Sequence, residues 1–527
     1  MYPIDELKAI YSYLKANIDV CGCGNSGKSE ISGIKLYPDS VRYSGSSLYF
    51  MFAFDGTGYL AICGNGKQSS EGFDGEVHCF DEDGCYREAL PEGNGICIKV
   101  CLLNNDNAGQ LRKIFKFTGP VSHKGKPITI GLGDRLGLAS PGHIRLLKGK
   151  DIFPVLAQQS IRELNLTART YDDVLASATW AVFREGYLDG YGADGDHLKT
   201  PDEVKMALDK GFTMITLDCS EHIDNDAANL SAKEADKKYA SLPELLRKRL
   251  EGKYAERSFK INGGFEVKFV QPEYVKIVLI YHKAIEHAVN IYKDLIRDCG
   301  RDIDFEMSID ETLTPTSPAA HYFAASELIA GGVEITSLAP RFCGEFQKGI
   351  DYRGNIKDFA ADFEMHARIA DTLGYKISVH SGSDKFSVFP IIGEKTSGRY
   401  HVKTAGTNWL EAVRLIAVKK PSLYREMHAF AVSHLPEARK YYHISAVPEK
   451  VPDISKMKDN ELPALMDLDD SRQILHITYG LILNARDSRG ALMLRDAIYD
   501  VLIRHEDEYA GMLQKHIGRH LEKLGAL

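Results

Sequence analysis

Three histidines, His197, His380 and His401, each sit at or just after a short apolar run, in Ala193-Asp-Gly-Asp-His-Leu-Lys-Thr200, Val379-His-Ser-Gly-Ser-Asp-Lys-Phe386 and His401-Val-Lys-Thr-Ala-Gly-Thr407. Three neutral imidazoles can hold a divalent cation and leave positions open for a substrate. Asp218 and Glu306 are the rival ligands. Asp196 and Glu311 are candidates for the base and acid of a proton-transfer pair. Asp310 is the alternative to Glu311, because adjacent strand residues point to opposite faces. The cations Lys199, Arg341, Lys385 and Lys403 lie in comparable segments and together suit a carboxylate or a phosphate. Ser381 and Asp384, beside them, and Arg472, far downstream, complete the candidate substrate-binding set. Arg472 and His476 are four residues apart and share a helix face. Each residue also has an ordinary reading. A lone histidine is more often a hydrogen-bonded core or loop residue, a lone cation a solvated charge, and Asp196 or Asp310 a turn or capping residue. It is their coincidence that points to a metal-assisted reaction on an anion.

Such residues need a scaffold that brings them to one place. From about residue 126 onward, eight short apolar runs read as strands: Ile128–Leu132, Phe153–Ala157, Gly186–Gly192, Met214–Asp218, Ile303–Ile309, Val333–Leu338, Lys376–His380 and Tyr400–Thr404. Helical patterns separate several of them, including Thr170–Arg184, Tyr322–Ala330 and Lys357–Leu373. Eight βα units predict an α/β fold of the closed (β/α)8 TIM-like barrel type, with a doubly wound open sheet as the alternative. In a barrel the chemistry sits at the C-terminal ends of the strands, which is where the candidate residues fall. His401 and Lys403 share parity and can both face inward. The long connection before the fifth strand reads as an insertion at about 225–275, with a hairpin around Asn262-Gly-Gly264, followed by a helix over Val275–Asp298. Residues 1–125 read as a β-rich extension, with runs such as Ser47–Phe54 and Tyr59–Cys63 broken by glycine turns. The expected division is a β-rich region over 1–125, a catalytic barrel over 126–420 and a helical C-terminal region over 421–527 packed on it.

The chain has 527 residues, 44% of them hydrophobic, which is enough for a large core without disulfide or metal support. Its 65 Lys and Arg against 73 Asp and Glu leave a net charge of −8 and no basic patch of nucleic-acid type. No apolar stretch approaches the 18 or so residues of a membrane span. The N-terminus has no basic block followed by an apolar one, so a cytoplasmic protein is expected. Seven of the ten cysteines precede residue 102 without disulfide or zinc-module spacing, and free thiols are expected. Gly22-Cys-Gly-Asn-Ser-Gly-Lys-Ser29 fits the phosphate-binding loop pattern, but Glu30-Ile-Ser-Gly-Ile-Lys-Leu-Tyr37 reads as extended where that loop needs a helix. A polar turn is the expectation, and a kinase using Lys28 the formal competitor. No G-x-G-x-x-G opens a helix, so NAD is not expected.

Ser140-Pro-Gly-His-Ile-Arg145, Ala193–Thr200, Thr336-Ser-Leu-Ala-Pro-Arg-Phe342, Val379–Phe386, His401–Thr407 and Arg472-Gln-Ile-Leu-His-Ile-Thr-Tyr-Gly480 resemble the tagaturonate epimerase family over about residues 130–485. The resemblance implies a metal-dependent isomerase of hexuronate breakdown that interconverts D-tagaturonate and D-fructuronate. It also implies His197, His380 and His401 for the metal and Asp196 and Glu311 for proton transfer. The cation is left open among Zn, Mn, Ni, Co and Fe. The implied partner is a small sugar acid, with no nucleic acid or membrane, and a homo-oligomer is left open. The two sugars differ at C4, whose hydrogen is β to both the C2 ketone and the C6 carboxylate. Simple α-deprotonation cannot invert that centre, and retro-aldol cleavage of C3–C4 followed by re-addition can. The alternatives are an epimerase of uncharged ketohexoses (tagatose and fructose), the kinase, and a non-catalytic sugar-acid sensor.

Overall fold

The computed structural model describes residues 4–17, 30–31, 33–64, 71–81, 85–87, 95–312 and 314–527. The Gly22–Ser29 turn lies outside the described residues. The first described residues after it form a strand rather than a helix.

Among the described residues the N-terminal region is a seven-stranded sheet. Its strands are β1 (Glu30–Ile31), β2 (Ile34–Ser44), β3 (Ser47–Phe54), β4 (Thr57–Gly64), β5 (Glu76–Phe80), β6 (Tyr86–Arg87) and β7 (Ile96–Leu102), in the spatial order β1-β2-β3-β4-β7-β5-β6. The central strands are apolar on both faces because both are covered. From β3, Leu48, Phe50 and Phe52 pack with Leu7, Ile10 and Tyr11 of the helix Ile4–Asn17. The alternating Tyr49 and Met51 pack with Trp180 and Phe183 of the helix Tyr171–Arg184. That second face joins the sheet to the barrel. Cys79 and Cys97, directly opposite each other on β5 and β7, form a disulfide, which corrects the expectation of free thiols for this pair, while Cys63, Cys85, Cys101, Cys219, Cys299 and Cys343 are free. Spacing along the chain does not reveal a cross-strand register, and the register brought these two together.

The barrel follows. Its strands are β8 (Ile128–Gly131), β9 (Phe153–Ser160), β10 (Gly192–Leu198), β11 (Met214–Asp218), β14 (Asp304–Ile309), β15 (Ser337–Pro340), β16 (Lys376–Val379) and β17 (Tyr400–Lys403). All are parallel, and pairing of Tyr400 with Ile128 and of Lys403 with Gly131 closes the ring. Two strands depart from the expected ranges. The third is Gly192–Leu198, not Gly186–Gly192, and the sixth is Ser337–Pro340, not Val333–Leu338. The third strand escapes an apolar search because its inward side chains are Asp194 and Asp196, both buried. The rest of the barrel interior is also polar: Thr129, Thr216, Asp304, Glu306, Ser337, Lys376, Ser378, His401 and Lys403 are buried there. Outside it, helices such as Pro318–Ala330 and Ile356–Leu373 bury their apolar faces.

Between β11 and β14 come the helices Ala232–Ala240 and Glu244–Tyr254, then the hairpin of β12 (Ser258–Ile261) and β13 (Phe265–Lys268), then the helix Glu273–Ile291. The hairpin turn is Asn262-Gly-Gly264, and both glycines take positive φ, a conformation open to glycine without steric cost. After β17 the helix Thr407–Lys419 buries Trp409, Leu410 and Val413 against the C-terminal helices, including Pro421–Ala438 and Asp469–Ile477. Among the described residues no helix is long and apolar enough to cross a membrane.

Candidate active site

A cavity of about 360 Å³ opens over the C-terminal ends of the barrel strands, within the size range of small-molecule sites. On its wall His197, Asp310 and His380 present ligand-type atoms that all lie within 4.8 Å of one another.

The local backbone explains how they meet. His197, the next-to-last residue of β10, has φ of +55°, in the left-handed region, where the strand register shifts between Gly195 and Leu198. That irregularity breaks the alternation that would send Asp196 and His197 to opposite faces. Ser381, just after β16, also takes a positive φ of +50°. Non-glycine residues held in this region cost energy and cluster at functional sites.

Each histidine has one ring nitrogen occupied by a carboxylate. His197 Nδ1 lies 2.8 Å from Asp196 Oδ1, and His380 Nε2 lies 2.7 Å from Glu306 Oε1. His380 Nδ1 faces Asp310 Oδ1 at 3.2 Å, but without hydrogen-bond geometry. A carboxylate on one nitrogen, which fixes the ring and leaves the other nitrogen available, is the arrangement of metal-bound histidines. Two imidazoles and a carboxylate also suit a divalent transition metal, so the donor set fits the expected ion. Without the ion, burial works against a charged His380, but Asp310 and Glu306 outweigh it and raise its pKa to about 10. His197 is likewise raised, because Asp196 outweighs its desolvation. A metal ion bound there would compete with those protons.

Lys403 supports this wall from below. Its ammonium lies 2.8 Å from Asp194 Oδ2, 2.8 Å from Asp196 Oδ1 and 3.0 Å from Glu306 Oε1. Burial raises Asp196 and Glu306, but Lys403 and the histidines overcome it and hold both well below the ordinary carboxylate range.

The expected residues divide into those brought together and those set apart. His197, His380, Asp196, Glu311, Ser381 and Lys403 all line the cavity. His401 does not join the other two histidines. It faces the barrel interior, bonded through Nδ1 to Thr129 Oγ1 at 2.8 Å, and burial pushes it down to about 3. Asp310 stands where a third ligand was expected. Asp196 is a poor base in this setting, since Oδ1 holds both His197 and Lys403 and Oδ2 accepts from Gln158 Nε2 at 3.3 Å. Lys403 is consumed by three carboxylates. Lys385 is buried away from the cavity and donates to the carbonyls of Gln347, Ile350 and Ser383. Asp384 pairs with Arg472 at 2.7 Å, also outside the cavity lining. Lys199 pairs with Asp218 and Glu221 and lines neither this cavity nor its neighbour. Arg341 lines that adjoining cavity of about 270 Å³, which shares Asp310, His380 and Ser381, and its guanidinium is held by the Thr312 carbonyl. Glu311 is exposed at the cavity edge and forms no ion pair among the described residues.

A second group of ligand types, Asp384, His516 and His520, stands elsewhere. There His520 Nε2 already accepts the Asp384 N–H and Nδ1 donates to the His516 carbonyl, so both ring nitrogens are used.

Several lining residues were not singled out from the sequence: Arg135, Arg162, Lys348, Tyr442 and His443. Arg135 and Arg162 follow the first and second strands, so their position after a strand end was the available signal. Tyr442 and His443 come from the segment after the helix Pro421–Ala438, where no pattern marked them.

An eight-stranded parallel barrel with convergent acids, bases and metal-type ligands at the C-terminal ends of its strands defines an enzyme of the TIM-barrel class. The tagaturonate epimerase family matches residues 37–524, and the chain belongs to that family. It is 40% identical to the tagaturonate/fructuronate epimerase of Thermotoga maritima over 494 residues, covering 93% of this chain and 97% of that one. It is also similar to crystal structures of the fructuronate-tagaturonate epimerase UxaE from Cohnella laeviribosi. A glycerol complex is 46% identical, with 98% of this chain and 99% of that one covered and a TM-score of 0.89. The native form is 45% identical, with 99% and 100% covered and a TM-score of 0.89. The protein is thus an isomerase of the epimerase type.

Proposed function

We propose that this enzyme interconverts D-tagaturonate and D-fructuronate by inverting C4, with a divalent metal held by His197, Asp310 and His380. The observation that carries the reading is the pair of histidines, each fixed by a buried carboxylate and gathered with Asp310 inside the cavity. Relatives named tagaturonate/fructuronate epimerase, matching almost the whole chain, support this choice of substrate.

Retro-aldol chemistry accounts for the inversion. A base removes the C4 hydroxyl proton, the C3–C4 bond breaks with its electron pair passing into an enolate over C3, C2 and the C2 oxygen, and C4 becomes an aldehyde. The aldehyde turns over, the bond re-forms on its other face, and an acid returns the proton to the oxygen. Glu311 is the residue for this proton transfer, since its carboxylate is uncommitted while that of Asp196 is not. Asp196 and Glu306 act through the histidine rings that they orient. A divalent ion, when bound, supplies Lewis-acid stabilisation of the negative charge that develops on the sugar oxygens.

The test is direct. Purified enzyme is incubated with D-tagaturonate as isolated, after exhaustive chelation, and after addition of Mn²⁺, Zn²⁺ or Ni²⁺. Fructuronate should form, stop forming when metal content falls, and return with metal. No fructuronate under any of these conditions would overturn the substrate assignment. Full activity in protein shown to contain no metal would overturn the metal.

A further inference from the structure

We infer that the carboxylate of the sugar acid is received by Lys348, Arg162 and the free Nη1 of Arg135, with His476 beside them, and that this cluster selects a ketohexuronate over an uncharged ketohexose. The inference rests on the proposed function and deepens it. The cations singled out from the sequence cannot do this work. Lys199 is held by Asp218 and Glu221 outside the cavity, Lys403 is consumed by three carboxylates, and Arg341 is held by a backbone carbonyl in the adjoining cavity.

The cluster is positively charged and incompletely partnered. Arg135 is 2% exposed, and Nε and Nη2 are both held by Glu163 Oε1, at 3.0 and 2.9 Å. Its Cζ lies 3.9 Å from the centre of the Tyr479 ring, which fixes the guanidinium. The remaining nitrogen, Nη1, is buried and has no hydrogen-bond partner, and Arg135 lines the cavity. An unsatisfied buried donor of this kind is costly unless a ligand completes it. Lys348 lines the same cavity, and its ammonium donates to Ser381 Oγ at 2.9 Å. Arg162 stands at the cavity edge with its guanidinium 5.1 Å from the centre of the Tyr442 ring. Among the described residues neither Lys348 nor Arg162 has a carboxylate within ion-pair distance. Glu163 thus offsets one of the three cations, and exposed Glu311 is the other carboxylate near Arg162.

His476 reinforces the reading. It is 1% exposed, lines the cavity, and neither ring nitrogen has a partner. Its place is made by Gly406, where a Cβ would stand only 1.9 Å from the ring Cε1. Burial, together with Arg135 and Lys348, holds the ring neutral, so it can offer one N–H to an oxygen without adding charge. A hydroxyl can accept from these groups but cannot neutralise them. A carboxylate does both, and two guanidinium groups and an ammonium favour it. Ser381 adjoins His380, so the anion subsite and the metal-type ligands share one wall.

The test compares D-tagaturonate with D-tagatose, which lacks the carboxylate, by calorimetric titration of metal-loaded enzyme and by turnover. Lys348→Met and Arg162→Gln should each weaken tagaturonate binding by about 10- to 100-fold, as loss of a charge-assisted contact does. Tagatose affinity should stay within about twofold, and Lys348→Arg should recover most of the loss. Equal losses for both sugars, or no loss for the acid, would overturn the inference, as would wild-type enzyme that binds the acid no better than tagatose. Wild-type enzyme that binds tagaturonate selectively but never converts it would overturn the proposed reaction and leave the subsite standing. If Lys348→Met does not fold, Arg162→Gln, at an exposed edge, carries the same comparison.

Discussion

The Glu306 carboxylate lies 2.7 Å from Nε2 of His380, while Nδ1 of the same ring stands 3.2 Å from Asp310. Glu306 itself is fully buried, bonded to Ser337 Oγ and paired with Lys403. It therefore acts on the proposed metal only through the ring that it turns. Glu306→Gln keeps the shape but removes the charge and the strong acceptor. Metal affinity should fall about 10- to 100-fold, the usual effect of losing such a partner. Direct titration with Mn²⁺ checks this, and an unchanged affinity would remove Glu306 from the metal's support. His380→Ala should abolish tight binding at the same site.

Glu311 gives a different signature. Its carboxylate is exposed at the cavity edge and supports no buried network. Glu311→Gln should fold normally and retain its metal, while kcat falls by about 10²- to 10⁴-fold, the range for loss of a general acid–base group. A kcat within a few-fold of wild type, at full metal content, would move the proton transfer to another residue.

Lys403 tests the polar interior. The barrel places one ammonium among Asp194, Asp196 and Glu306, all within 3.0 Å. Removing one partner of a buried ion network leaves uncompensated charge and costs about 3–5 kcal/mol. Lys403→Met should therefore lower the thermal unfolding midpoint by several degrees or more. A midpoint equal to that of wild type would show that these carboxylates take up protons or relax instead.

The reaction route has its own test. Retro-aldol cleavage breaks C3–C4 and leaves hydrogen on C4 throughout. Tagaturonate deuterated at C4 should give fructuronate that keeps the label, as read by mass spectrometry. Washout to solvent at the rate of epimerisation would exclude this route.

Much of this architecture is legible in the chain, because strands buried on both faces read as apolar runs and helices show their own period. Six of the eight barrel strands fall on or within a few residues of such runs. The failures have separate causes. β10 carries Asp194 and Asp196 into the interior, so a strand made polar by the site looks like a loop, and its place goes to the preceding segment. His401 faces inward as its parity with Lys403 requires. Parity does not say how deep along the barrel a side chain sits, and His401 bonds Thr129 instead of joining His380. Asp384 and Lys385 follow a strand end and Arg472 lies on the helix Asp469–Ile477, and their charge serves the packing of loop against helix. Tyr442 and His443 reach the cavity through tertiary contacts that no local pattern records. The resemblance to the family covers the strand-end motifs as whole segments, so it survives these errors of depth and orientation.

His428 offers a pH test far from the site. It lies in the helix Pro421–Ala438, 4% exposed, its ring 6.0 Å from that of Tyr424, with Nε2 buried and unpartnered. Burial lowers its pKa from 6.5 to about 4. Above pH 6.5 the imidazole is neutral in both folded and unfolded chains and contributes no pH dependence. Between 6.5 and about 4 the unfolded chain binds a proton that the folded one refuses, so stability falls as the pH falls. The total over that window is roughly 3 kcal/mol, at about 1.4 kcal/mol per pH unit. His428→Leu has nothing to protonate there and fits an apolar surround. The difference between its unfolding midpoints at pH 7 and pH 4.5 should be smaller than in wild type by several degrees. The same drop in both proteins would assign the acid sensitivity to other buried groups.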